Sequence, residues 1–157
     1  MKKEVQDFNG SIQPSPNLIV SCRNQEGENN ALAVAYGCNC SFDPPMVMVG
    51  IVPSRYSHHM VKETGEFVVN LVTPELEEEF KYLGSKSGRD EDKLEALGLN
   101  YEPGKEVKAP VLLDFPVNIE CKVVNSMKTG SHEMFAGEVK NIQADPEFIN
   151  EDQALDF

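Results

Sequence analysis

A chain of 157 residues is sized for one domain over 1–157, and its 40% hydrophobic and 25% charged content is an ordinary globular mixture with enough core to need no staples. The longest apolar run, Met46 to Val52, is too short to span a bilayer, and the N-terminus leads into polar sequence without an apolar signal core, so a cytoplasmic protein away from membranes is expected. With 14 basic against 26 acidic residues the net charge is −12; such a surface repels phosphate backbones, and with no basic stripe in the sequence nucleic acid is not expected as a partner.

Strand signals dominate in chain order. Leu18-Ile19-Val20 opens the pattern after a turn-rich Gln13 to Asn17, and the polar stretch Arg23 to Asn30 reads as a loop. From Leu32 to Cys40 larger residues alternate with small ones, which predicts one strand with a crowded second face. Asp43-Pro44-Pro45 breaks the chain before the apolar run Met46 to Val52, a central strand by composition. A short helix over Ser57 to Thr64, closed by Gly65, precedes the strand Phe67 to Val72. Thr73-Pro74-Glu75 starts a helix expected to reach Leu83, and Asp90 is placed to cap another through Leu97, closed by Gly98. Val117 to Val123 alternates as a half-buried strand, Ser126 to Ser131 turns, and Phe135 to Val139 returns. Many short strands with few helices predict a mainly β barrel or sandwich, with a loosely held C-terminal end.

Candidate chemistry is sparse. Ser57 opens a helix after a buried strand, where it can cap while free amides point outward; with Arg55 beside it, this is either an anion site or an ordinary capped helix with a surface arginine. The run Gly84 to Lys93 resembles a phosphate loop only loosely and, unaided, reads as a solvated charged loop, with Lys93 in the first turn of the following helix. His132 starts the last strong strand. Cys22, Cys38, Cys40 and Cys121 match no metal spacing; Cys38 and Cys40 could form a redox pair, but are expected as two small buried hydrophobes. Neither a GxSxG elbow nor a GxGxxG phosphate turn is present.

Six stretches taken together carry a resemblance: Asn30 to Tyr36, Ser41-Phe42-Asp43-Pro44-Pro45-Met46, Arg55-Tyr56-Ser57, Gly65 to Asn70, Ser87 to Lys93 and His132 to Val139. In this order and spacing, from about residue 10 to 142, the chain resembles the flavin reductase-like family of FMN-binding split barrels, its flavoredoxin branch above all. The resemblance implies a mainly β, Greek-key split barrel with a few short helices that binds FMN and works as a homodimer. It implies that Asn30 hydrogen-bonds the cofactor, Tyr36 lies along it, and Ser41 and Phe42 offer backbone contacts. Arg55 and Ser57 would hold the phosphate, Lys93 would add positive charge, and His132 would stand near the ring as a catalytic candidate. Ala33, Ala35 and Gly37 would then form a flat wall for the ring. Tyr36 stands where flavoredoxins often have Trp, and Ser57 where they often have Thr. Chains of that family commonly continue with an aromatic-bearing tail over the flavin, so the resemblance implies a truncated chain or a more open site. The implied activity is transfer of electrons from NADH or NADPH through FMN to an acceptor. A non-enzymatic FMN carrier between redox proteins is the alternative, and a flavin-free barrel a further one.

Overall fold

The computed structural model describes all 157 residues. Its main element is a seven-stranded antiparallel sheet built from β1 (Leu18–Arg23), β2 (Asn29–Val34), β3 (Gly37–Phe42), β4 (Pro45–Ile51), β5 (Glu66–Leu71), β8 (Val117–Lys128) and β9 (Glu133–Ala144). The strands run β2-β1-β5-β8-β9-β4-β3 across the sheet, so the consecutive strands β2 and β3 stand at opposite edges. The two-residue connection Ala35-Tyr36 joins those edges and so requires the sheet to curl; at its end the β3–β4 ladder already begins, the Gly50 amide donating to the Tyr36 carbonyl at 2.8 Å. This is the expected split barrel. A separate hairpin, β6 (Tyr101–Pro103) with β7 (Pro110–Leu112), was not legible from alternation because its strands are too short to show any.

Period-two burial explains the two layers. Leu18, Val20 and Cys22 of β1 face the barrel interior with Phe67, Val69, Ile119, Cys121 and Phe135, while Ile19 faces the other way. That outer face packs Ala31, Leu112 and Phe115 against Leu83 and Leu94. Leu83 comes from α2 (Glu77–Ser85) and Leu94 from α3 (Lys93–Ala96). Helix α1 (Tyr56–Thr64) buries Met60 and Val61 at the barrel mouth and ends at Gly65, whose φ of 68° favours a residue without Cβ. Burying one such large side chain stabilises the fold by roughly 1.5–3 kcal/mol, so the barrel interior, which holds most of them, contributes most of the apolar stabilisation.

Several sequence expectations are corrected. The predicted strand Leu32 to Cys40 is two strands, turning at Ala35-Tyr36 where the sheet edges meet. Ser57 does not cap α1: Arg55 holds the N-cap position without a side-chain bond. Asp92, not Asp90, caps α3, accepting from the Glu95 amide at 3.1 Å. The helix after Thr73 starts as a 3₁₀ turn over Pro74–Leu76 and runs on to Ser85. The C-terminal end is not loose: Asp156 donates its amide to the Phe148 carbonyl at 2.8 Å, and the Phe148 and Phe157 rings meet at 5.1 Å. Cys38 and Cys40 are exposed on β3, because that strand has no neighbour on its outer side.

Candidate functional site

A pocket of 280 Å³ lies where α1, β2 and the loop after α2 converge. Asn30 enters from the start of β2, Arg55 and Ser57 from the start of α1, Lys93 from the start of α3. Lys86, Ser87, Gly88 and Arg89 fold over it, so the run expected as a solvated loop is a wall of the site. Gly88 permits that approach, since a Cβ there would collide with the Tyr56 ring and stand 2.8 Å from Asn30 Oδ1. Arg55 and Ser57, expected to hold the phosphate, and Lys93, expected to add positive charge, line this one pocket. Asn30, expected as a hydrogen-bonding partner of the cofactor in the segment bordering the ring, lines it with them.

Its polar groups are fixed before any ligand arrives. Asn30 Nδ2 donates to Ser57 Oγ at 2.8 Å, which leaves the Ser57 hydroxyl proton free to point elsewhere. Lys93 is buried, with Nζ donating to the carbonyls of Leu83 at 2.9 Å and Lys86 at 3.1 Å, and the ammonium has a further proton to give. Burial pushes the Lys93 ammonium down to about 8 and Arg55 nearby adds to this, against the opposing pull of Cys22 and Glu91. Arg89 stacks 5.6 Å above the Tyr56 ring and donates to the Ser54 carbonyl at 3.0 Å. The first-turn amides of α1 lack intrahelical carbonyls and carry partial positive charge. Four cations, a hydroxyl and a helix start thus converge in a protein of net charge −12. The donor set suits a phosphate monoester; the pocket is too small and polar for a fused aromatic ring, whose sites usually exceed about 300 Å³.

The residues expected along the ring lie elsewhere. Tyr36 follows the end of β2 and meets the His132 ring edge-on at 4.8 Å, and His132 Nδ1 lies 2.7 Å from Ser131 Oγ. Tyr36 also borders an open cleft of 610 Å³ shared with Phe8, Ile12, Ala35, Cys38 and Met134. Ser41 is half-buried at the end of β3, and Phe42 is 93% exposed; neither borders the pocket or the cleft. Ala33 is small for another reason than the expected flat wall: α2 crosses it so closely that a Cβ on Gly84 would stand 2.9 Å from its own.

Sequence reading missed a buried carboxylate behind the site. Glu133, 3% exposed in its side chain, takes Lys62 at 2.5 Å, His58 at 2.7 Å and Ser126 Oγ at 3.0 Å. The Lys62 contact, with His58 and Ser126, holds its carboxyl down at about 2 against the opposing effect of burial. His58 and Lys62 stand one turn apart on α1, so Glu133 anchors the helix that carries Ser57. The i, i+4 spacing of His58 and Lys62 was visible; the acceptor, in a distant strand, was not.

A curled antiparallel sheet with a cationic pocket beside it defines a split barrel with an anion site. The sequence pattern of the flavin reductase like domain matches residues 11–155, and the chain belongs to that family. An uncharacterized protein of Archaeoglobus fulgidus is 38% identical over 113 residues, covering 72% of this chain and 64% of its own length. The ferric-chelate reductase (NAD(P)H) of the same organism is 29% identical over 115 residues, covering 73% of this chain and 64% of the reductase. Flavoredoxin of Desulfovibrio vulgaris (Miyazaki F) superposes with a TM-score of 0.91 at 28% identity, over 99% of this chain and 83% of that one. The chain spans 64%, 69% and 52% of the length of three curated relatives. Membership supports a flavin-related redox role. No helix is long and apolar enough to cross a membrane.

Proposed function

We propose that this chain binds FMN and, as a homodimer, passes electrons from NADH or NADPH through the flavin to an acceptor. The observation that carries the reading is the donor-lined pocket of Asn30, Arg55, Ser57 and Lys93, which fits the phosphate that distinguishes FMN from riboflavin. FMN, when bound, supplies the hydride and electron chemistry. Arg55 gives a planar fork and Ser57 its free hydroxyl proton, while Asn30 holds that hydroxyl in place. Lys93 adds an ammonium already anchored by two carbonyls, so little reorganisation accompanies binding. Tyr36 and His132 form an aromatic edge that would hold the ring, and His132, tethered to Ser131, would hold or give a proton there at an imidazole nitrogen. The amides and carbonyls of Ser41 and Phe42 remain the proposed ring contacts from the end of β3. The seven-stranded sheet is antiparallel rather than a Rossmann unit, so a nicotinamide donor would have to stack transiently on the bound flavin.

The similarity to a ferric-chelate reductase makes ferric chelates the first acceptors to try. Absorption spectra before and after FMN addition and desalting test binding, and NADH or NADPH oxidation with free FMN or a ferric chelate tests turnover. Flavin bands retained together with donor-dependent turnover are expected; bands without turnover leave the carrier, and no bands reject the cofactor. The carrier reading has one observation in its favour, the −12 surface, which suits salt-sensitive docking to a basic redox protein.

A further inference from the structure

The four cysteines fall into two kinds. Cys22 and Cys121 are wholly buried in the barrel interior, and burial pushes each thiol up to about 12. Cys22 Sγ is held 3.8 Å from the Asn30 carbonyl and 4.0 Å from the Met60 sulfur, a packing role with no path to solvent. Cys38 and Cys40 are both exposed on β3, whose outer edge pairs with nothing. They stand two residues apart on that one strand, and the Cys40 thiol is raised first by partial burial and then by the neighbouring Cys38.

The backbone between them allows closure. Strand residues two apart lie about 6.6 Å from Cα to Cα, at the upper end of the roughly 4.4–6.8 Å that a disulfide spans. The strand is not regular here. Asn39 pairs with Val47 and Ser41 with Met46, so Cys40 is an extra residue in the ladder, and such a bulge bends the strand locally. A free edge also lets the strand adjust without breaking a ladder on its outer side. Cys38 further borders the cleft beside Tyr36 and Met134, so a small molecule can reach it.

We propose that Cys38 and Cys40 form a surface dithiol that closes to an intramolecular disulfide by exchange with a low-molecular-weight disulfide, RSSR. Cys38, the less hindered thiol, loses its proton and attacks one sulfur of RSSR, forming a Cys38–S–S–R bond and releasing RS⁻. Cys40 then loses its proton and attacks the Cys38 sulfur, forming the Cys38–Cys40 bond and releasing a second RS⁻, and both leaving groups take up those protons. The protein loses two electrons and two protons, and RSSR is reduced to two RSH. A monothiol in excess runs the sequence backwards.

The test uses native protein, with or without FMN, and an aromatic disulfide that releases a coloured thiolate, followed by intact mass and peptide mapping. The expected result is two equivalents of thiolate released, a protein about 2 Da lighter carrying no adduct, and a single bridge between Cys38 and Cys40, reversed by dithiothreitol. Cys38→Ser and Cys40→Ser should each release one equivalent and retain one aryl adduct, while Cys22 and Cys121 stay unreactive until the chain is unfolded. Two stable aryl adducts on native protein, no reaction at either thiol, or a bridge from Cys40 to Cys121 would each overturn the proposal. Because no flavin is needed, this outcome is independent of FMN binding.

Discussion

At the pocket end of the site, Asn30, Ser57 and Lys93 are each at most 3% exposed and each is held by a hydrogen bond; at the ring end, Tyr36 is 45% and Phe42 93% exposed, on elements with one neighbour or none. The first arrangement is preorganised for a small, hard, charged group. The second is a surface that gains its shape only when something flat, or another protein chain, lies against it. The contrast follows from ligand chemistry. A phosphate gives up strong hydration and must find fixed donors, while a ring is bound through area and tolerates adjustable walls. On the proposed function it would separate affinity from reactivity, with anchoring at α1 and electron transfer beyond Tyr36.

The largest effect expected concerns that anchor. Arg55→Ala with Ser57→Ala removes two charge-assisted contacts at roughly 1.5–3 kcal/mol each, so FMN affinity should drop about 10²–10⁴-fold. Riboflavin affinity should hardly move, and fluorescence titration of both ligands separates the ends directly. Equal losses for both flavins would mean that the pocket does not read the phosphate.

Next comes the support behind the anchor. Glu133→Gln leaves Lys62 and His58 facing a neutral amide and should cost about 2–3 kcal/mol, read from urea unfolding at neutral pH. The folded-state value near 2 lies below the ordinary 4.5, so the stabilisation is fully present above pH 4.5 and is lost as pH falls towards 2. The gap between wild type and variant should therefore close across that acidic window. If it stays constant, the Glu133 contacts are not ionic in origin.

How much of this was legible differs between the same two ends. The pocket's charged members sit in local patterns (a helix start after a buried strand, an arginine beside it, a lysine opening the next helix), but those patterns alone also suit a capped helix and a solvated loop, and it was the resemblance that assigned them to one ligand. What could not be read was that the Ser87 to Arg89 loop folds back onto Asn30, a contact between residues nearly sixty apart that depends on Gly88 alone having no Cβ. Barrel strands with clean alternation, such as Val117 to Val123, were found, whereas β3 was absorbed into β2 because the alternation of large and small residues continues straight through the Tyr36 turn. Sheet closure, which carries the chain from one edge strand to the other in two residues, overrode the periodicity. The same error hid the exposure of Cys38 and Cys40: at the end of one continuous strand with a crowded second face they are expected to be buried, but on the separate edge strand β3 they are exposed.

Protonation offers a finer probe of the anchor. The Lys93 ammonium, lowered to about 8 by burial, should be charged when FMN binds at neutral pH and should lose that charge as pH rises through 8. FMN affinity should then weaken above pH 8, by at most about tenfold per unit, and Lys93→Met should flatten the slope. Unliganded stability must move the other way. A depressed folded-state value makes the buried charge a cost that is present below pH 8 and relieved as pH rises towards 10.5, so the free protein should gain stability over the range in which it loses FMN. Opposite slopes identify Lys93; parallel slopes point to general alkaline unfolding.

The smallest effect belongs to the open end, and it carries the most information about what covers it. Phe42 buries almost nothing within its own chain, so Phe42→Ala should change the unfolding free energy of the isolated chain by less than about 0.5 kcal/mol. In the proposed homodimer a ring covered by a partner chain would contribute roughly 1.5–3 kcal/mol, a loss visible as faster dissociation by sedimentation or light scattering across a dilution series. Comparing the apo and FMN-loaded variant separates the two occupants of this surface. A dimer weakened equally in both states places the partner chain on Phe42, whereas weaker flavin affinity with an unchanged dimer places the ring side of FMN near it. No change in either property would mean that the adjustable half of the site lies wholly with Tyr36 and His132, and that β3 beyond Ser41 is a free edge.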